Sequence, residues 1–206
     1  MPVSRRALLT SALLTGGWIR PVLAADAGGG PPEVVQRFYD NLLSVMKEAK
    51  HLSFDQRYQR LAPAIGQAFN LPLIVRLSVG PDWTKLQPSQ QQALTEVFAR
   101  YTISVYANRF DDFNGERFIV DPAPMTNPNG AMVQTSLVKS DGDKVILNYL
   151  LRQGADGGWQ IIDIYLSGTI SELAARRSEY MSVVHQSGAD GLVKLIEQRT
   201  AALHTG

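Results

Sequence analysis

The sequence has no cysteine. That excludes disulfides, thiolate metal sites, a cysteine nucleophile and a lipid-modified N-terminal cysteine. It leaves export open, since an exported domain can do without disulfides. Histidine is scarce as well. His51, His185 and His204 fall in expected loops or helix ends, His204 in the C-terminal tail. They share no ligand spacing, so no metal site is expected. No G-x-S-x-G, H-E-x-x-H, P-loop or dinucleotide-binding pattern occurs. No catalytic constellation is expected on that basis.

A long apolar run is also missing. The longest near the start, 7–14, is too short to span a bilayer. Ser4-Arg5-Arg6 precedes it, and Val22-Leu23-Ala24 follows with small residues. A basic start, an apolar centre and such an end describe a signal peptide. The expectation is a signal over 1–24, cut near Ala24, of the ordinary secretory or the twin-arginine type. Residues 25–32, with Gly28-Gly29-Gly30, read as a flexible leader, and 33–206 as one domain. The first 24 residues carry three of the 20 basic residues and none of the 19 acidic ones. The remaining chain is therefore about −2, and nucleic-acid binding has no electrostatic footing.

What is present is organised in two halves. The 206 residues suit one ordinary domain. Helix one is expected from about Pro32, with Val35, Phe38, Leu42 and Val45 at helical spacing. Ser53-x-x-Gln56 is a capping box for a second helix. Tyr58, Leu61, Ile65 and Phe69 form its stripe, and Pro63 should kink or divide it. Leu71-Pro72 opens a third helix, 73–79, apolar nearly all round and ended by Gly80-Pro81. Trp83 sits in the connector. Pro88 opens the longest helix, about 89–110. Leu94, Val97, Phe98, Tyr101 and Val105 make one stripe, and Ile103, Tyr106 and Phe110 a second. That places it centrally.

After Asp111 the period changes from helical to alternating. Four antiparallel strands are expected, at 116–120, 131–139, 145–152 and 159–166. Turns at 127–130, 141–143 and 154–158 join them. Thr169-x-x-Glu172 offers a capping box for a helix over 170–184, and a Ser187-Gly188 break precedes a last helix. The fold class is α+β: a curved four-stranded antiparallel meander sheet wrapped by N-terminal and C-terminal helices.

The strand at 159–166 organises the chain. One face would show Trp159, Ile161, Asp163 and Tyr165, the other Ile162, Ile164 and Leu166. A half-solvated strand should alternate apolar and polar. This one is apolar on both faces, so both sides of the sheet are expected to be covered. Three layers would do that, and so would an internal apolar cavity that holds a ligand. Asp163 reads as a buried acceptor of hydrogen bonds, or as a general base in an apolar pocket. The rival to a carrier is thus a small α+β cone-fold enzyme, an isomerase or dehydratase with Asp163 as base. Tyr149 and Tyr165 read as core aromatics with bonded hydroxyls. Arg177-Ser178-Glu179-Tyr180 reads as a salt-bridged helix face.

An ordered series of short matches runs along the chain. It begins with Phe38-Tyr39-Asp40-Asn41-Leu42-Leu43, then Arg60, Pro63, Ile65 and Phe69. Arg76, Gly80, Trp83, Gln90-Gln91 and the 98–106 helix body follow. Next come Gly115-Glu116, Thr135, Asn148-Tyr149-Leu150-Leu151-Arg152 and Gly158-Trp159-Gln160-Ile161-Ile162-Asp163. Gly168, Arg177-Ser178-Glu179-Tyr180 and Gly188-x-x-Gly191-Leu192 complete it. In this series the chain resembles the periplasmic phospholipid-carrier family of the MlaC type, known also from toluene-tolerance proteins. It is most similar to the hopanoid-associated HpnM branch. Tyr180 is a small departure, since relatives more often carry phenylalanine there.

The resemblance implies a periplasmic shuttle, not an enzyme, whose cargo is a phospholipid or hopanoid. Its partners would be an inner-membrane ABC transporter with a substrate-binding ring and an outer-membrane lipoprotein complex. A monomer is expected, with no cofactor beyond lipid as cargo. The physics agrees, because each methylene exposed to water costs about 0.8 kcal/mol. A pocket on the order of several hundred Å³ is expected, filled with lipid or closed down in its absence. The candidate lining is Phe69, Leu73, Ile74, Leu77, Trp83, Phe98, Tyr101, Val105, Tyr149, Ile161 and Tyr165.

Overall fold

The structure, a computed structural model, describes residues 29–204. The expected signal segment and the first part of the leader lie outside the described residues. Helix α1 (Pro31–Glu48) opens with both prolines in its first turn, where a missing N–H has no helical partner to lose. Val35, Phe38, Leu42 and Val45 are buried, as their spacing requires. A short 3₁₀ turn, Ala49–His51, leads to α2 (Phe54–Ala68). The Ser53/Gln56 capping box forms in both directions. Pro63 does not divide α2, which is one helix across it.

Asn70 caps α3 (Leu71–Val79) by accepting from the Leu73 N–H at 3.0 Å. Gly80 ends that helix at φ 70°, a left-handed conformation that glycine takes without a Cβ clash. The long helix α4 (Pro88–Arg109) packs against α2, α3 and α5, which gives its apolar girth a use.

Among the described residues, seven strands replace the four expected: β1 (Arg117–Val120), β2 (Met125–Asn127), β3 (Gly130–Val133), β4 (Thr135–Val138), β5 (Lys144–Gln153), β6 (Trp159–Leu166) and β7 (Ile170–Ser171). The first expected strand, 116–120, is β1, and β2 is an addition beyond 121–124. There Pro122 and Pro124 have no N–H to give a ladder. The second is split at Gln134, and β7 is a two-residue addition at the edge. The meander itself holds. β1 pairs with β4 and β2 with β3, both β3 and β4 pair with β5, and β6 lies on the far side of β5 with β7 beyond it.

Helix α5 (Glu172–His204) is bent at Gly188, whose φ of 69° and ψ of −175° are not helical. In a straight helix Glu179 and Arg199 would stand about 30 Å apart. The bend folds the two halves together so that Glu179 receives two hydrogen bonds from Arg199, one of 2.9 Å.

The expectation that both faces of the sheet are covered is corrected. Helices α1, α2, α3 and α5 all contact the sheet, but part of one face is left open. On that face Ile119, Ser136 and Ile146 stand in a row across β1, β4 and β5. Ile119 is 47% exposed, Ile146 40% and Met125 53%. The apolar doubling of β6 has another origin, which lies at the site.

Candidate functional site

The register of β5 and β6 slips at one point. Leu151 faces Ile161, but Leu150 faces Asp163, which leaves Ile162 as an extra residue. This is a β-bulge, and past it the two faces of a strand exchange. Ile161 and Ile162 therefore both turn inward, followed by Ile164 and Leu166. Tyr165, opposite Asn148, turns away. Beside the bulge the Ile161 carbonyl accepts from the Asn70 N–H at 2.9 Å, which pins the α2–α3 junction to the sheet.

A pocket of about 180 Å³ lies between the inner face of β1, β5 and β6 and the helices α1, α3, α4 and α5. Phe69, Ile74, Phe98, Tyr101, Val105, Tyr149 and Ile161, all candidates from the sequence, surround it. Leu73, Leu77, Trp83 and Tyr165 do not. Helix α3 turns Leu71 and Ile74 to the pocket, so Leu73 and Leu77 fall on another side. Trp83 packs on the core from a 3₁₀ turn, where its carbonyl accepts from Gln91 Nε2 at 2.8 Å. The volume is below the several hundred Å³ expected.

Sequence reading missed Tyr39, Leu42, Tyr106, Phe110, Phe118, Leu147 and Ile164 of the lining. Period-2 alternation along 145–152 carried a signal for Leu147, since it lies two residues from Tyr149. Tyr39 stacks on Phe118 with ring centres 4.2 Å apart, and Tyr106 on Phe110 at 5.6 Å. These rings make much of the wall.

The polar atoms in this wall are paired with one another. The Tyr39 hydroxyl lies 2.7 Å from Thr135 Oγ1 and 3.1 Å from the Tyr149 hydroxyl. Thr135 Oγ1 in turn donates to the Leu147 carbonyl. Burial pushes the Tyr39 hydroxyl up to about 12 and raises Tyr106 and Tyr149 as well. All three stay neutral at any physiological pH, so none is poised as an acid or base.

Asp163 is equally occupied. Its Oδ1 accepts from the Leu173 and Ile164 N–H groups, each at 2.8 Å, and its Oδ2 from Ser171 Oγ at 2.5 Å. Ser171 Oγ accepts from the Ala174 N–H at 2.9 Å. Together Ser171 and Asp163 cap α5, and the expected box at Thr169 does not form. A carboxylate with three donors is a structural acceptor rather than a general base.

Of the charged residues that line the pocket, Asp163 is buried, Glu172 and Arg176 are half-buried and Arg109 is exposed. His185 lies elsewhere, 2.7 Å from Asp82, and His204 stacks near Phe54. Among the described residues no group of three or more His, Asp or Glu side chains is placed to hold a metal, and no helix is long and apolar enough to cross a membrane. Such a site can enclose an apolar group and leave a charged one at the mouth.

No curated protein matches the chain. Among solved structures, a phospholipid-binding protein from Ralstonia solanacearum, in complex with a phospholipid, is similar in fold. The TM-score is 0.74 at 20% identity, over 85% of this chain and 99% of that one. Residues 36–198 match the family model described as MlaC protein, and the chain belongs to that family.

Proposed function

We propose that this protein is a lipid carrier that encloses acyl chains between its sheet and α4 and leaves the head group at the rim. The observation that carries the reading is the pocket itself: an apolar, aromatic wall in which the Tyr39 and Tyr149 hydroxyls are already hydrogen-bonded. Membership of the MlaC protein family supports it, as does a neighbour of the same fold that was solved with a phospholipid. A cavity near 150 Å³ takes about one benzene-sized group. At about 180 Å³, loading a two-chain lipid therefore requires the helices to move off the sheet.

In full, the carrier works in the periplasm after cleavage near Ala24. It passes phospholipid, or the hopanoid implied by the HpnM resemblance, between an inner-membrane ABC transporter with its substrate-binding ring and an outer-membrane lipoprotein complex. It has no enzymatic step, because Asp163 is spent on capping α5. Organic extraction of purified protein, followed by lipid mass spectrometry, tests the reading. Near-stoichiometric phospholipid or hopanoid is the expected result. Protein that yields none, and that takes up none after delipidation, refutes it.

A further inference from the structure

The exposed apolar side chains of the sheet divide between its two faces. Residues directly opposite one another in an antiparallel pair point to the same side, and so do residues two apart on one strand. Ile119 and Ile146 share the open outer face. Val145 and Ile170 do not. Phe118 lines the pocket and faces Leu137, and Leu137 faces Val145. Leu147 and Leu166 line the pocket as a facing pair, and Leu166 faces Ile170. Two rows of the pocket-side face thus begin in the lining and end in exposed side chains, Val145 at 36% and Ile170 at 57%. Val145 and Leu147, two apart on β5, join the rows. Ile170 is held in place from the next residue, since Ser171 pairs with Tyr165 and is hydrogen-bonded to Asp163.

We propose that Val145 and Ile170 form an apolar apron outside the pocket, which carries the lengths of acyl chain that the pocket does not enclose. This rests on the carrier reading and adds a second subsite to it. The pocket holds about 180 Å³, little more than a benzene-sized group needs. Moving the helices off the sheet enlarges it along the face that the two rows continue. Each methylene left in water weakens loading about fourfold, so surplus chain gains by lying on apolar side chains that are already exposed. Those side chains shed their water in the same step. Continuity with the lining is what selects acyl chain as the occupant. Ile119 and Ile146 are exposed to a similar degree but face away from the pocket, which makes them the control.

The test loads delipidated protein from cyclodextrin complexes of dihexanoyl- or dioleoyl-phosphatidylcholine and reads the bound fraction by native mass spectrometry. Short chains fit the pocket and leave the apron bare, whereas long chains reach it. Val145→Thr/Ile170→Thr keeps β-branched side chains in the strands while it removes apolar surface. It should bind the dioleoyl lipid about tenfold or more weakly than wild type, and the dihexanoyl lipid within about twofold of it. Ile119→Thr/Ile146→Thr should bind both as wild type does. Undiminished dioleoyl binding by the Val145/Ile170 variant overturns the apron, and a change in self-association alone would give that surface to a second copy of the chain. An equal loss for both lipids also overturns it and assigns the two residues to pocket structure. So does an equal loss in the outer-face variant. If wild-type protein loads neither lipid, the carrier reading itself fails.

Discussion

Val105→Trp should raise stability, or leave it nearly unchanged, while it abolishes lipid loading. Val105 projects from α4 into a pocket of about 180 Å³. An empty cavity costs about 24 cal/mol per Å³. For this volume the ceiling is on the order of 4 kcal/mol, lowered because the mouth admits water. A benzene ring occupies a cavity of about 150 Å³, so an indole should fill most of this one. Imperfect fit takes back about 1–3 kcal/mol. The net expectation is a stabilisation of about 0–2 kcal/mol, or a melting temperature up to roughly 8 °C higher. Leu77→Trp is the control, since Leu77 faces away from the pocket and lipid should still load. Thermal melting and native mass spectrometry on the same samples read both quantities. A Val105→Trp protein that melts ten degrees lower and still carries lipid would show that this pocket is ordinary core.

Three further outcomes follow from the geometry. Asp163→Ala removes the side-chain acceptors at the start of α5 and should cost about 2–3 kcal/mol in urea unfolding; a loss under half a kcal/mol would contradict the capping role. The hydrogen bonds from Arg199 hold the Glu179 carboxyl below its usual 4.5. A depressed folded-state value means that the pair stabilises fully above the unfolded value and loses its effect as pH falls through the lower, folded one. Wild-type stability should therefore drop more steeply than that of Glu179→Gln below pH 4.5, by under about 1 kcal/mol for so exposed a pair; parallel curves would refute this. Gly188→Ala meets no neighbour within 4 Å but must adopt a conformation suited to glycine. It should cost about 1–3 kcal/mol through the backbone alone, and an unchanged unfolding midpoint would mean that the bend tolerates a side chain.

The helices were legible because their signals are local. The stripe of α1, the Ser53/Gln56 box and the Gly80 stop each need only a few neighbouring residues. The meander was legible for the same reason, since its turns carry glycine, proline and aspartate. What could not be read depended on contacts distant in sequence. The Thr169 box looked sound, but an aspartate eight residues before Ser171 crosses from β6 and helps cap the helix instead. Counting by twos along β6 put Tyr165 beside Ile161. One extra residue at Ile162 reversed that, and no local signal marks the bulge. Helix α3 is apolar nearly all round, so its sequence could not say which side meets the pocket.

On the carrier reading, the small empty volume is itself functional. Each methylene withdrawn from water stabilises the loaded state by about 0.8 kcal/mol. A long chain entering a rigid, preformed tunnel would gain all of that and be slow to leave. Here loading must first open walls that touch one another. The Tyr39–Phe118 and Phe110–Phe118 ring contacts tie α1 and the end of α4 to β1, and each aromatic pair contributes about 0.5–1.5 kcal/mol. Those contacts are lost on opening and recovered on release. The net affinity is then the difference between chain burial and wall closure. Residues that seal the vacant pocket therefore set the ease of hand-over as much as those that touch the lipid.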